Sequence, residues 1–187
     1  INLGEVPLST LSLSAHKFGG PKGIGALFVR RGHSLKAITP GGGQEHKLRS
    51  GTQNVSGAVG LGRAISLAVA ELATASPVLQ KLRDYVISQL CQIPEVSLTG
   101  HASLRLPHIA SFILEKVDGE SLIVFLDARG ICASTGSACS SGTLPASPTL
   151  LACGLTDVEA RGSLRLSVGR ETRLEDLLGI KEAVLDA

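Results

Sequence analysis

The sequence predicts an α/β fold in two parts, and three features of its patterning carry that expectation. Residues 8–14 and 24–30 read as two strands joined through the turn-rich Gly19-Gly20-Pro21-Lys22-Gly23. Residues 54–75 form a long helical pattern rich in Ala, Gly and Leu, followed by an amphipathic stretch over 77–91. Beyond Pro94 the chain breaks into short alternating strand and helix patterns, the signature of a small α+β unit. The expected division is residues 1–76 and residues 77–187.

Each element has its own reason. Residues 8–14 (Leu-Ser-Thr-Leu-Ser-Leu-Ser) alternate apolar and hydroxyl side chains, whereas Ile-Gly-Ala-Leu-Phe-Val-Arg over 24–30 reads as a more fully buried strand. Pro40 to Gly51 is a polar, glycine-rich connection. The first helix is expected to end near Pro77, because proline lacks the N–H that a helix interior needs. The second helix places Leu79, Leu82, Val86 and Leu90 at spacings of three and four, and Pro94 closes it. Further strands are expected at 96–99, 108–114, 131–133 and 163–168, and further helices at 119–128, 148–153 and 174–185.

Composition excludes several classes. The 187 residues are 43% apolar and 18% charged, an ordinary globular balance. A net charge of +2 without a Lys/Arg block, and one Tyr with four Phe, offer no footprint for nucleic acid. Apolar runs fall short of a membrane span, and the first residues lack a secretion-signal pattern. A cytoplasmic location is the expectation. The chain opens at Ile1 and contains no Met, which reads as a fragment or processed polypeptide. None of Cys91, Cys132, Cys139 and Cys153 is in C-x-x-C spacing, so neither zinc nor any other metal site is expected. Cys91 and Cys153 read as small buried residues and Cys132 as a strand residue without a chemical role. Cys139 lies in Gly136-Ser137-Ala138-Cys139-Ser140-Ser141-Gly142, a run too small to bury apolar surface, where an accessible, mobile thiol is expected.

Two further segments carry chemistry. Ser14-Ala15-His16-Lys17-Phe18-Gly19-Gly20 sets an amine among a hydroxyl, an imidazole and a glycine turn, an arrangement suited to an anion and, with desolvation, to a Schiff-base lysine. Residue types alone leave a solvated loop open. Lys22-Gly23 is no phosphate loop, since the order G-x-x-x-x-G-K-[ST] is absent. Arg165, in Leu164-Arg165-Leu166-Ser167-Val168-Gly169-Arg170, is by type either an exposed strand charge or a carboxylate partner.

Ser-x-His-Lys with the following Gly-Pro-Lys-Gly-Ile-Gly-Ala-Leu resembles the cofactor-lysine segment of the cysteine desulfurases, in the class V aminotransferase group of fold-type I enzymes. Three other segments resemble that family in the same order: Gly41-Gly42-Gly43-Gln44-Glu45 with Leu48-Arg49-Ser50-Gly51-Thr52, the Cys139 run, and 164–170. The resemblance implies the C-terminal half of such an enzyme. Residues 1–76 would complete a large α/β cofactor domain and include an interdomain helix, and 77–187 would form a small α+β domain.

It further implies that Lys17 holds pyridoxal 5'-phosphate, that Ser14 and His16 contact its phosphate, and that Thr52 reaches the phosphate of a neighbouring subunit in a homodimer. Arg165 would hold the carboxylate of L-cysteine, and Cys139 would take its sulfur as a persulfide, leaving L-alanine. Arg49 and Arg170 are expected to be structural or interface residues. The implied partners are an N-terminal half of the same enzyme and a sulfur acceptor, either an iron–sulfur scaffold or a tRNA-thiolation protein. The family's aspartate at the pyridine nitrogen and its ring-stacking residue have no counterpart in this sequence. A selenocysteine lyase, another class V aminotransferase, and an inactive half-chain that binds sulfur-transfer proteins are the alternatives.

Overall fold

The computed structural model describes residues 1–136 and 146–187, and the chain divides into two compact units, Ile1–Leu72 and Ala73–Ala187. In the first unit, strand β1 (Thr10–Ser14) pairs antiparallel with β2 (Gly25–Val29), with Thr10 opposite Val29 and Ser14 opposite Gly25. Leu11 and Leu13 turn to one face and are half-buried, while Ser12 and Ser14 turn to the other and are exposed, as a period of two requires. Arg30, just past β2, ties down the N-terminal segment: its guanidinium donates to the carbonyls of Leu8 and Leu3, each at 2.7 Å, and of Val6 at 3.0 Å. The expectation that the second strand is more fully buried than the first is corrected here. β2 is mostly exposed, Leu27 to 57%, because among the described residues β1 is the only strand paired with it and no layer covers its face.

Helix α1 (Val55–Leu90) is continuous through Pro77, so the expected break there is also corrected. Proline removes one i→i−4 hydrogen bond, at a cost near 3 kcal/mol. One lost bond does not end a 36-residue helix whose later turns are held by burial of Leu82, Val86 and Leu90. By length and composition α1 also reaches the threshold of a membrane span, with an 18-residue window of mean hydropathy 1.4, which the shorter apolar runs of the sequence had concealed. Two of its small residues, Gly57 and Ala64, are buried.

The second unit is built on a three-stranded antiparallel sheet in the order β3 (Val96–Leu98), β4 (Ile109–Leu114), β5 (Ser163–Ser167). One face packs the end of α1, helix α2 (Gly119–Asp127) and helix α5 (Ile180–Leu185). Phe112, Leu90, Leu126 and Leu164 are fully buried at its centre. Each such side chain contributes about 1.5–3 kcal/mol through the area it removes from water. Asp118 caps α2 by accepting from the Ser121 amide at 2.9 Å, and that bond holds its carboxyl below the usual range.

Helix α3 (Pro148–Ala152) begins with proline at its first turn, and α4 (Asp157–Arg161) opens on a Thr156/Glu159 capping box. The helix expected over 174–185 is interrupted. A 3₁₀ turn at Glu175–Leu177 gives way to α5 through Gly179, whose φ of 79° is left-handed. The strand expected over 131–133 reduces to a single bridge between Ser134 and Arg165. Cys91, Cys132 and Cys153 are exposed thiols, contrary to the burial expected of Cys91 and Cys153.

Candidate active site

The turn between β1 and β2 presents the first group of candidates. Ser14 ends β1 in extended conformation and leads into the 3₁₀ turn Ala15–Phe18. The turn is closed by the Gly20 amide donating to the Ala15 carbonyl at 2.9 Å and anchored by the fully buried Ala15 methyl. With Ala15 turned inward, Ser14, His16 and Lys17 are all exposed. The Ser14 hydroxyl makes no capping bond to its own turn, which leaves it available to a ligand. Neighbouring positions in one short turn therefore offer a hydroxyl, an imidazole and an amine.

The connection bearing Thr52 is more contorted. Glu45, His46 and Lys47 all have left-handed φ, between 48° and 64°, a conformation that side chains other than glycine adopt at a cost. The Gln44 side-chain oxygen accepts from the Gly51 amide at 3.4 Å and the Ser50 hydroxyl donates to the Pro40 carbonyl at 3.1 Å, holding this loop together. The Arg49 guanidinium donates to the Ser50 carbonyl, and Thr52 is exposed beyond it.

Arg165 belongs to the second unit. It is half-buried on β5, flanked by Leu164 and Leu166, which turn into the core. On one side β5 pairs with β4, placing Ser111 opposite Arg165. On the other, the Ser134 amide donates to the Arg165 carbonyl at 3.1 Å, and the Arg165 amide donates back to Ser134 at 2.6 Å. Among the described residues no carboxylate pairs with the Arg165 guanidinium. Cys139 lies outside the described residues, between Gly136 and Ala146. Sequence reasoning gave no role to Ser163, which is buried to 1% exposure beneath Gly136. The readable signal was its place two residues before Arg165, on the same face of one strand.

The profile of the family described as aminotransferase class-V matches residues 1–179. The chain belongs to that family. Among curated relatives, a cysteine desulfurase IscS of Methanosarcina thermophila is 46% identical over 98% of this chain, and one of Dictyoglomus turgidum is 42% identical over 100% of it. These matches take in only 46% and 48% of the relatives, so the chain spans about half their length. Of solved structures, a NifS-like protein is 33% identical with a TM-score of 0.85 over 99% of this chain and 48% of its own. A NifS-like protein of Rickettsia africae reaches a TM-score of 0.89 at 27% identity, over 100% of this chain and 50% of its own. The fold is that of the NifS-like fold-type I enzymes.

Class-V aminotransferases depend on pyridoxal phosphate. The β1–β2 turn fits that group by the chemistry of its donors. An amine can bond its aldehyde carbon, and a hydroxyl with an imidazole can meet its phosphate, all three exposed on one turn.

Proposed function

We propose that this chain is the C-terminal half of a pyridoxal-phosphate cysteine desulfurase, which converts L-cysteine to L-alanine and stores the sulfur as a persulfide on Cys139. The observation that carries the reading is the exposed Ser14–His16–Lys17 turn, in a chain 40–46% identical over 90% or more of its length to proteins named cysteine desulfurases. The Arg165 fork on β5, without a carboxylate partner among the described residues, supports it as well, because a bidentate guanidinium suits the substrate carboxylate.

In this reading Ser14 and His16 hold the cofactor phosphate, and Thr52 reaches the phosphate of the second subunit of a homodimer. Bound at Lys17, the cofactor supplies an electron sink conjugated to the substrate α-carbon. Arg165 orients L-cysteine by its carboxylate, and the Lys17 amine takes the α-proton as a base. The Cys139 thiolate attacks the substrate sulfur. An S–S bond forms, the substrate C–S bond breaks with its electron pair left on the three-carbon remainder, and that remainder takes a proton at Cβ, regains one at Cα and leaves as alanine. Sulfur at the oxidation level of a persulfide then passes to an acceptor for iron–sulfur assembly or tRNA thiolation.

Residues 1–76 and 77–187 are assigned to the end of the large domain and to the small domain. The N-terminal half of the enzyme is assigned to the exposed apolar side chains of α1, among them Val55, Val59, Val69 and Leu72. A cytoplasmic location goes with these partners. The test is alanine release from L-cysteine by the full-length enzyme and its Cys139→Ser variant. Loss of about a thousandfold or more, with the cofactor absorbance retained, is the expected result. Alanine release that survives the substitution would replace the desulfurase with another class-V activity.

A further inference from the structure

The turn that carries Lys17 rests on helix α1. Two backbone hydrogen bonds give the turn its shape: the Ala15 amide donates to the Ile24 carbonyl at 3.1 Å, and the Gly20 amide donates to the Ala15 carbonyl at 2.9 Å. Neither reaches α1, so packing sets the place of the turn on the helix. That packing is close. Ala15 is fully buried, and Gly20 is wedged between it and the buried Ala64: a Cβ built on Gly20 would lie 2.9 Å from the Ala15 Cβ and 3.1 Å from the Ala64 Cβ. Pro21 meets α1 one turn earlier. A Cβ built on Gly60 would lie 2.5 Å from the Pro21 Cγ and 3.0 Å from its Cδ.

Carbon atoms that are not bonded settle at about 3.5–4.0 Å, so a methyl group at position 60 must push Pro21 away. Gly60 and Ala64 are four apart and share one face of the helix. Gly62 lies between them in sequence and on another side, where an added Cβ would meet nothing within 4 Å. The demand for an empty position is thus made by the turn at Gly60 and not by the helix. Ser14, His16 and Lys17 ride on that one turn, so displacing Pro21 moves a hydroxyl, an imidazole and an amine together relative to α1.

We propose that Gly60 is a positioning residue for Lys17, whose missing side chain seats Pro21 on α1 and so fixes where the Lys17 turn stands. The inference rests on the reading of Lys17 as the cofactor lysine. In that reading the Lys17 amine adds to the aldehyde carbon of pyridoxal phosphate, and the aldehyde oxygen leaves as water. Such an addition needs its partners held in place, and a misplacement of about 1 Å can cost up to about a hundredfold.

The experiment uses the full-length enzyme, stripped of pyridoxal phosphate and reloaded, with four variants: Gly60→Ala, Gly62→Ala, Pro21→Ala and Gly60→Ala combined with Pro21→Ala. Three quantities are read: the melting temperature without cofactor, the dissociation constant of pyridoxal phosphate, and the fraction of it that borohydride fixes to Lys17, found by peptide mass. Gly60→Ala should weaken cofactor binding about tenfold and lower the fixed fraction, with the cofactor-free melting temperature nearly unchanged. Gly62→Ala, the same change on the open side, should leave binding and fixation as they were. Pro21→Ala removes Cγ and Cδ and leaves only the Pro21 Cβ position, 4.0 Å from the added methyl, so the double variant should bind cofactor as Pro21→Ala alone does. Unaltered binding in Gly60→Ala overturns the proposal, as does a loss that Pro21→Ala fails to relieve. An equal loss in Gly62→Ala, or a melting temperature that falls in step with binding, marks damage to the helix and overturns it as well. Should Gly60→Ala fail to fold, Ala64→Gly loosens the same seat by removing the methyl against Gly20, and the same readings decide. Cofactor fixed to a lysine other than Lys17 in the unsubstituted enzyme removes the reading of Lys17 itself and not only the role of Gly60.

Discussion

The two units bury very different amounts of apolar side chain. In Ile1–Leu72 the buried hydrophobic residues among those described are Ala15 and Ala64, whereas Ala73–Ala187 holds a contiguous core that includes Phe112, Leu126 and Leu164. A two-stranded ribbon without a covering layer is marginal by itself, and a three-stranded sheet packed by helices is not. The difference teaches where each candidate residue gets its support. Arg165 and the base of the Cys139 segment stand on a core built within this chain. Lys17 stands on a turn whose Ala15 anchor is buried but whose lysine is exposed, in the unit with the smaller core.

The contrast can be broken most sharply in the cores. Phe112→Ala should destabilise the second unit by about 3–5 kcal/mol, through lost transfer energy and a residual cavity, measured by denaturant unfolding. Leu27→Ala on β2 should cost under about 0.5 kcal/mol in the 187-residue chain, where Leu27 is exposed, and distinctly more in the presence of the proposed N-terminal half. Equal costs in the two contexts would mean that nothing covers β2.

A smaller effect is expected at the start of α4. Thr156→Ala removes the acceptor of the Glu159 amide and the partner of the Glu159 carboxylate, and should lower stability by about 1 kcal/mol.

The smallest is a pH effect at His108, beside Arg83 and Val168, where burial holds the imidazole pKa below its ordinary value. The unfolded chain then binds the proton more readily than the folded one. The stability that a neutral His108 contributes is complete above the unfolded pKa, about 6.5, and declines as pH falls below it. His108→Gln should flatten that decline in the pH dependence of the melting temperature.

Much of the fold was legible because the patterns were local. β1, β2, β4, β5 and α2 lie within a residue or two of where alternation, helical spacing and turn residues put them. The failures have physical causes of another range. Pro77 reads as a stop in sequence because the local cost of proline is visible there and the cooperativity of the surrounding 36-residue helix is not. Cys91 follows the buried Leu90, yet one residue's rotation turns it into solvent. The helix α4 was overlooked although Thr156-x-x-Glu159 announces it.

At the site, the Ser14–Lys17 cluster was readable because it is contiguous. The support of Gly136 by Ser163, 27 residues away in sequence, depends on strand register, which no local pattern states.

The most direct measurement of the central claim is peptide mass mapping of the full-length, cofactor-loaded enzyme after a single turnover with L-cysteine. The expected result is one added sulfur on the peptide containing Cys139, none on those containing Cys91, Cys132 or Cys153, and none anywhere in Lys17→Ala. Added sulfur on another cysteine, or alanine formed with no protein-bound sulfur, would contradict it.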